Sequence, residues 1–148
     1  MHPSDTPMIS REAIAARVAA LGREISESYA GEEFVAVVVL KGALLFAADL
    51  LRAMPPVPAV DFIRARSYAG EHSSGRVQVI AAPTTPLEGR NVLLIEDILD
   101  TGCTATAIRG YLMTSGVADL RICTLLDKPS RRVTPVEADY TGFTMDGR

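Results

Sequence analysis

The sequence contains few of the residues on which several classes of protein depend. It has two cysteines, Cys103 and Cys123, with no CxxC motif, and only two histidines. These counts argue against a disulfide framework and against a structural zinc site. No apolar run approaches the roughly 18 residues of a membrane helix, and the first ten residues lack the basic and apolar regions of a secretory signal. We therefore expect a cytoplasmic protein with no membrane partner.

Basic charge is also scarce, and lysine is scarcer still. Fifteen Lys and Arg residues against eighteen Asp and Glu give a net charge of −3, which argues against a nucleic-acid partner. Only two of the basic residues are lysines, Lys41 and Lys128. Either the bias is chance, or these two lysines serve where a compact ammonium group on a flexible stem is needed. No GxG or GxxxxGK[ST] motif occurs, so dinucleotide and P-loop fingerprints are both absent.

What is present is typical of a globular α/β domain. The 148 residues are 48% hydrophobic and 22% charged, with no repeat and no linker, so we treat residues 1–148 as a single domain. Continuous β-branched runs such as 34–40 predict strands buried on both faces, and apolar residues at helical spacing predict helices. The polar stretch 67–75 predicts a mobile loop. The predicted helices cover 10–30, 43–54 and 104–115, and the predicted strands cover 34–40, 60–66, 77–81, 91–95, 121–126 and 139–145.

Strands that alternate with helices in this order predict an α/β fold with a mostly parallel twisted sheet flanked by helices. Ligands bind such sheets outside the carboxyl ends of the strands. The segment Glu96–Thr104 follows a predicted strand and precedes a predicted helix. Its first half places the adjacent carboxylates Glu96 and Asp97 at the strand exit, and its second half offers Gly102, hydroxyl groups and helix-start amides, the parts of a phosphate site. In the alternative interpretation, Asp100 and Thr101 cap the helix and the acidic pair is solvated.

The run Val92–Thr104 (VLLIEDILDTGCT) resembles the thirteen-residue ribose-5-phosphate signature of type I phosphoribosyltransferases. Further segments resemble the hypoxanthine-guanine branch of that family in the same order. They are Val39–Gly42 (VLKG), Arg66–Tyr68 (RSY), Leu125–Arg132 (LLDKPSRR) and Asp139–Phe143 (DYTGF). The similarity covers residues 10–146 and implies the type I phosphoribosyltransferase fold.

The resemblance implies an enzyme of purine salvage. It would transfer a 6-oxopurine, hypoxanthine or guanine, to C1 of phosphoribosyl pyrophosphate and release pyrophosphate, with Mg²⁺ as cofactor. Glu96 and Asp97 would bind the ribose hydroxyls and, indirectly, the metal. Asp100 would lie near purine N7 as general base or acid. The 5-phosphate would be bound by Asp100, Thr101, Gly102, Cys103 and Thr104.

The resemblance also implies roles outside the signature. Leu40, Lys41 and Gly42 would form a pyrophosphate loop with a non-proline cis peptide, and Arg132 would reach the same pyrophosphate. Ser67 and Tyr68 would open a lid that excludes water from the reacting centre. Lys128 would donate a hydrogen bond to O6 of the purine. Members of this family are commonly dimers or tetramers, so a homodimer or homotetramer is expected.

The sequence departs from the family pattern at two places. Cys103 stands where a basic or other long residue is usual, which we expect to be tolerated because that position uses its backbone amide. Beyond Asp146 the family continues with an apolar or aromatic residue that stacks on the purine and an aspartate for a second Mg²⁺. The chain ends at Arg148 without them. We expect that this C-terminal segment is missing because the sequence is incomplete; the alternative is a protein that binds purine weakly.

Two other functions remain open at this point. A phosphoribosyltransferase for another base such as xanthine would also use Lys128, because xanthine is a 6-oxopurine. A regulator that kept the fold without turnover would bind a nucleotide or RNA instead. An RNA-binding regulator requires a basic face, and the net charge of −3 speaks against one.

Overall fold

The computed structural model describes residues 9–67 and 76–145. Its strands form one six-stranded sheet in the spatial order β3-β2-β1-β4-β5-β6. The strands are β1 Val35–Leu40, β2 Ala59–Ser67, β3 Val77–Ala81, β4 Asn91–Leu99, β5 Asp119–Asp127 and β6 Tyr140–Thr144. The helices are α1 Arg11–Tyr29, α2 Leu44–Arg52 and α3 Cys103–Thr114, and a short 3₁₀ helix covers Pro129–Arg131.

The sheet is mostly parallel, as the α/β pattern predicts. β1 pairs in parallel with β2 and with β4, and the parallel pairing continues through β5 to β6. Only β3 is antiparallel, against β2 at the edge of the sheet. The central strands are continuous apolar runs because both of their faces are covered, whereas β2 alternates between buried and exposed residues.

The helices divide between the two faces of the sheet. α1 begins at Arg11 because the Ser10 hydroxyl accepts a hydrogen bond from the Ala13 amide at 3.0 Å. Leu21 and Ile25 of α1 pack in one hydrophobic cluster with α2 and with the side chains of β1 that face them. Ile108 of α3 packs in a second cluster, with the opposite face of the same strands. No helix in the described ranges is long and apolar enough to cross a membrane.

This division creates a topological switch point between β1 and β4. The two strands are neighbours, yet β1 leads to α2 on one face and β4 leads to α3 on the other. Their carboxyl ends therefore diverge and leave a crevice, which is where open α/β sheets bind ligands. The last residues of these strands lead into the two segments singled out in the sequence, Leu40–Gly42 and Glu96–Thr104.

The structure corrects one boundary that matters for the site. β4 was expected to end at residue 95, with the acidic pair at its exit, but it continues to Leu99. Pairing with β5 extends through Glu96 opposite Thr124 and Leu99 opposite Asp127, which keeps the segment extended. Pairing with β1 stops at Ile95, so beyond this residue β4 has β5 as its only neighbour in the described sheet. The acidic pair thus lies within the strand, beside the crevice.

Candidate active site

The acidic pair contains a buried carboxylate oxygen that has no hydrogen-bond donor among the described residues. Because successive residues of a strand point to opposite faces, Glu96 and Asp97 extend to different sides of β4. Glu96 Oε1 is buried and accepts no hydrogen bond within the described residues. Burial, with a smaller contribution from the negative charge of Asp97, raises the pKa of Glu96 to about 7. Burial also raises the pKa of Asp97. Such a pair reduces the stability of the free protein and is suited to a ligand that donates hydrogen bonds.

The end of β1 approaches the acidic pair from the other side of the crevice. A Cβ atom placed on Gly42 would lie 3.8 Å from Asp97 Oδ2, so the Lys41–Gly42 turn lies close to this carboxylate. The peptide bond between Leu40 and Lys41 is cis, as the resemblance implied. Lys41 and Gly42 are both exposed. The predicted pyrophosphate loop and the predicted ribose-binding pair are thus neighbours in the structure.

The loop between β4 and α3 has the form of an anion site. Gly102 is the N-cap of α3 with φ of +91°, a conformation that favours glycine. A side chain there would also collide with the next segment, because a Cβ atom would lie 2.5 Å from Thr134 Oγ1. Thr101 Oγ1 accepts a hydrogen bond from the Cys103 amide at 3.3 Å. The first-turn amides of α3 have no acceptor within the helix, so they and the positive end of the helix dipole favour a phosphate.

Asp100 does not cap the helix. Among the described residues it is the Thr101 hydroxyl that accepts from the first amide of α3, whereas the guanidinium Nε of Arg131 lies 2.7 Å from Asp100 Oδ1. The two side chains are 40% exposed for Asp100 and 55% exposed for Arg131, although Asp100 Oδ1 itself is buried. An exposed pair of this kind is weak. The carboxylate of Asp100 is therefore exchangeable, and a ligand can replace Arg131 as its partner. This contact could not be predicted from the sequence, because nothing in the local sequence distinguishes Arg131 from the adjacent Arg132.

Lys128 is held next to the phosphate loop through its backbone. The Lys128 amide donates to the Leu99 carbonyl at 2.9 Å, and the Val133 amide donates to the Thr101 carbonyl at 2.8 Å. The Lys128 side chain is partly exposed. The structure therefore brings the predicted purine-binding lysine and the predicted phosphate loop together at the carboxyl ends of β4 and β5.

Arg132 has partners other than the pyrophosphate that the resemblance implied. Its Nη2 lies 2.6 Å from Asp127 Oδ1, and Nε and Nη1 donate to backbone carbonyls of the protein. Its side chain is only 11% exposed. Within the described residues, a single N–H of Nη2 is left for a ligand. Of the two predicted lid residues, Ser67 is the exposed last residue of β2, and Tyr68 lies outside the described residues.

One cavity in the described part of the chain is not part of this site. It has a volume of about 500 Å³ and lies at the opposite edge of the sheet, where β1 and β2 begin. Its lining includes Phe34, Pro56 and Arg90 and none of the predicted site residues. We place the site at the carboxyl edge instead, because in residues 9–67 and 76–145 that edge combines the buried, unpaired Glu96 oxygen with a helix-start loop.

Comparison with known proteins agrees with this placement. Residues 8–147 match the family model described as phosphoribosyl transferase domain. The chain is 41% identical to the hypoxanthine phosphoribosyltransferase of Salmonella typhimurium over 141 residues, covering 93% of this chain and 79% of that protein. It is 41% identical to the hypoxanthine-guanine phosphoribosyltransferase of Aquifex aeolicus over 138 residues, covering 92% and 78%.

A solved structure shows the same architecture. The hypoxanthine-guanine phosphoribosyltransferase of Bacillus anthracis superimposes with a TM-score of 0.90 at 36% identity, covering 95% of this chain and 84% of that one. The family match extends over nearly the whole sequence and includes every predicted site residue. The chain belongs to the phosphoribosyltransferase family.

Proposed function

We propose that this protein transfers a 6-oxopurine base, hypoxanthine or guanine, to phosphoribosyl pyrophosphate, forming IMP or GMP and pyrophosphate. One observation carries the proposal: an acidic pair with a buried, unpaired Glu96 oxygen and a glycine-capped phosphate loop lie at the switch point, with the backbone of a lysine bonded to the strand that leads into that loop. The hypoxanthine-guanine relatives, 41% identical over most of the chain, support the choice of base.

In this proposal the crevice binds phosphoribosyl pyrophosphate along its length. The first-turn amides of α3 and the threonine hydroxyls bind the 5-phosphate, and Glu96 and Asp97 accept hydrogen bonds from the ribose hydroxyls. The proximity of Gly42 to Asp97 supports a pyrophosphate bound by the Leu40–Gly42 loop beside the ribose. Ribose hydroxyls would supply the donors that the buried Glu96 oxygen lacks.

Mg²⁺ fits the residues of this site as a cation carried by the substrate. No group of three or more acidic, cysteine or histidine side chains in the described ranges could hold a metal. Glu96 and Asp97 would contact the ion indirectly, through the ribose or water, because Mg²⁺ keeps several of its waters when it is bound with substrate phosphates. When bound, the ion would neutralise negative charge on the departing pyrophosphate.

Asp100 is the proposed proton acceptor. The bond from C1 to purine N9 forms while the bond from C1 to the pyrophosphate oxygen breaks, and its electron pair leaves with the pyrophosphate. The N7 proton of the incoming base passes to the Asp100 carboxylate. The ion pair with Arg131 supports this role, because an exposed pair is weak and a bound base can replace the arginine as the partner of the carboxylate.

We also propose that the protein acts in the cytoplasm as a homodimer or homotetramer. The free thiols Cys103 and Cys123 fit a reducing compartment. Val60 and Phe62 of β2 share the sheet face of α1 and α2, yet they are exposed at 37% and 41%. Uncovered apolar side chains of this kind favour a subunit contact. Sedimentation equilibrium would measure the oligomeric state.

The test is product formation from phosphoribosyl pyrophosphate and Mg²⁺ with each of four bases: hypoxanthine, guanine, xanthine and adenine. We expect IMP and GMP, and very little AMP, because a lysine ammonium donates to O6 but cannot accept from the amino group of adenine. Efficient use of adenine would contradict the assignment of Lys128. Binding of IMP without turnover of any base would favour a non-catalytic regulator.

The two lysines provide a matched pair of variants. Lys128→Ala should raise KM for the base much more than KM for phosphoribosyl pyrophosphate. Lys41→Ala should do the reverse, because Lys41 follows β1 at the proposed pyrophosphate loop. Steady-state kinetics with each substrate varied in turn would separate the two effects. Equal changes in both KM values for both variants would remove the proposed division of roles.

A further inference from the structure

Arg132 and Asp127 form a mostly buried ion pair behind the proposed site. Arg132 Nη2 lies 2.6 Å from Asp127 Oδ1, and the two side chains are 11% and 13% exposed. Asp127 is the last residue of β5, and Arg132 follows the 3₁₀ turn Pro129–Arg131. The pair therefore closes the turn that carries Lys128.

The remaining donors of Arg132 join two segments that are far apart in sequence. Nη1 donates to the Asp100 carbonyl at 2.9 Å and to the Leu99 carbonyl at 3.2 Å. It also approaches the Lys128 carbonyl at 3.4 Å, and Nε donates to the Val136 carbonyl at 2.9 Å. One guanidinium group thus contacts the backbone of both Asp100 and Lys128.

The shape of the guanidinium explains why arginine is needed. Its donors lie in a rigid planar fork that satisfies several acceptors at once, which a lysine ammonium cannot reproduce. Asp127 balances the buried charge, because loss of either partner would leave the other charge buried and unpaired. Gly102 lies close to the aliphatic part of the same side chain, since a Cβ atom there would lie 3.0 Å from Arg132 Cδ.

We propose that Arg132 and Asp127 are positioning residues that hold the proton-accepting Asp100 and the base-selecting Lys128 in one geometry, so that phosphoribosyl binding and base recognition are coupled. The inference rests on the proposed function for the roles of Asp100 and Lys128. It differs from a pyrophosphate-binding role for Arg132, because the effect of the pair would extend to ligands that contain no pyrophosphate.

The experiment compares Asp127→Asn, Arg132→Lys and the double variant by calorimetric titration with IMP, which has no pyrophosphate group. We expect each single variant to weaken IMP binding about tenfold, or about 1.4 kcal/mol, and the double variant to be no worse than the singles. Turnover should fall, and KM for the base should rise more than KM for phosphoribosyl pyrophosphate. Asp119→Asn is the matched control, because it removes the ion pair with Arg121 at the opposite edge of the sheet.

A pyrophosphate ligand would behave differently. Arg132→Lys would then affect phosphoribosyl pyrophosphate but not IMP, Asp127→Asn would have little effect on either, and the proposal would be overturned. Equal losses of IMP binding in Asp119→Asn and Asp127→Asn would also overturn it, because the effect would then be general destabilisation.

Amide hydrogen exchange tests the pair independently of any ligand. In Asp127→Asn, segments 99–106 and 128–136 should exchange faster together, while α1 keeps its protection. If the unmodified protein binds neither IMP nor phosphoribosyl pyrophosphate, the proposed function fails, and this measurement still decides whether the pair joins the two segments. Unchanged exchange, or faster exchange in one segment only, would contradict the proposal.

Discussion

Two carboxyl groups on the two neighbours of β1 have opposite environments. Asp61 on β2 accepts hydrogen bonds from the amides of Phe62 and Thr85 at 2.7 Å and of Thr84 at 3.1 Å. Burial works to raise the pKa of Asp61, but the hydrogen bonds outweigh it and the pKa is lowered. Glu96 on β4 has a buried oxygen with no donor in the described residues, and its pKa is raised.

The difference distinguishes carboxylates whose hydrogen-bond donors come from the protein from carboxylates that remain available to a ligand. Asp61 is charged and satisfied by the protein, so it stabilises the connection between β2 and residues 84–85. In the described residues Glu96 Oε1 is buried without a hydrogen-bond donor and Asp100 is paired with an exposed arginine, so neither contributes much to the folded state. Both lie at the edge of the sheet where the proposed substrates bind. Substituting one carboxylate at a time measures whether that carboxylate contributes to stability or to turnover.

The largest effect is expected for Asp100→Asn. Turnover should fall about 10²–10⁴-fold because the proton acceptor is lost. The free energy of unfolding should change by less than about 0.5 kcal/mol, since the ion pair with Arg131 is exposed. Rapid-quench kinetics and urea denaturation would measure the two quantities. Near-normal turnover would remove Asp100 from the chemistry, and a loss of stability with normal turnover would make it a structural residue.

Glu96→Gln should stabilise the free protein in a pH-dependent way. At pH 4 and below, both states of the wild type are largely protonated at this position, so the variant gains little. As the pH rises from 4.5, the ordinary pKa of this group, towards its folded value of about 7, the wild type loses stability because folding opposes ionisation. Above that range the variant should be more stable by about 1–3 kcal/mol. Urea denaturation at pH 4, 6 and 8 would measure this. Equal stability of the two proteins at pH 8 would contradict the buried, unsatisfied state of Glu96.

Asp61→Asn should give the opposite result. A carboxylate with a lowered pKa stabilises the fold above its ordinary value of 3.8, and this contribution is lost as the pH falls through the folded pKa. The variant should lose about 1–2 kcal/mol at pH 7, and the difference from wild type should shrink in acid. Its turnover at a temperature where it stays folded should be within about twofold of wild type. A large loss of turnover without loss of stability would remove the distinction between the two carboxylates.

The strands and the location of the site could be predicted because they depend on local signals. The apolar run 91–95 predicted β4, and the acid pair and glycine loop after it predicted a ligand site at its end. The extension of β4 to Leu99 was not predictable, because it depends on pairing with β5, about thirty residues away in the chain. Polar residues such as Glu96 are typical of a strand exit, and the local pattern contains nothing that opposes this interpretation.

The contacts of the adjacent arginines could not be predicted from the sequence either. Arg131 and Arg132 are chemically identical neighbours, yet one forms an exposed ion pair with Asp100 and the other is mostly buried against five protein oxygens. Their environments are set by the turn at Pro129–Arg131 and by the approach of the loop after β4, which are tertiary contacts. A family resemblance assigned Arg132 to the ligand, and the geometry gives most of its donors to the protein.

The smallest expected effect concerns the two thiols. Like the two carboxylates, they differ in environment. Cys103 is the first residue of α3 and partly exposed, so an alkylating reagent can reach its thiol. Cys123 on β5 is fully buried, and burial strongly raises its pKa. Iodoacetamide should therefore label Cys103 first. Bound IMP should slow that labelling several-fold, because the 5-phosphate would cover the loop and oppose the negative charge of the thiolate.

Peptide mapping after timed labelling, with inosine as the control that lacks the phosphate, would measure both rates. Protection by inosine equal to that by IMP would mean that the phosphate does not bind at this helix start, and preferential labelling of Cys123 would contradict the burial on which the comparison depends.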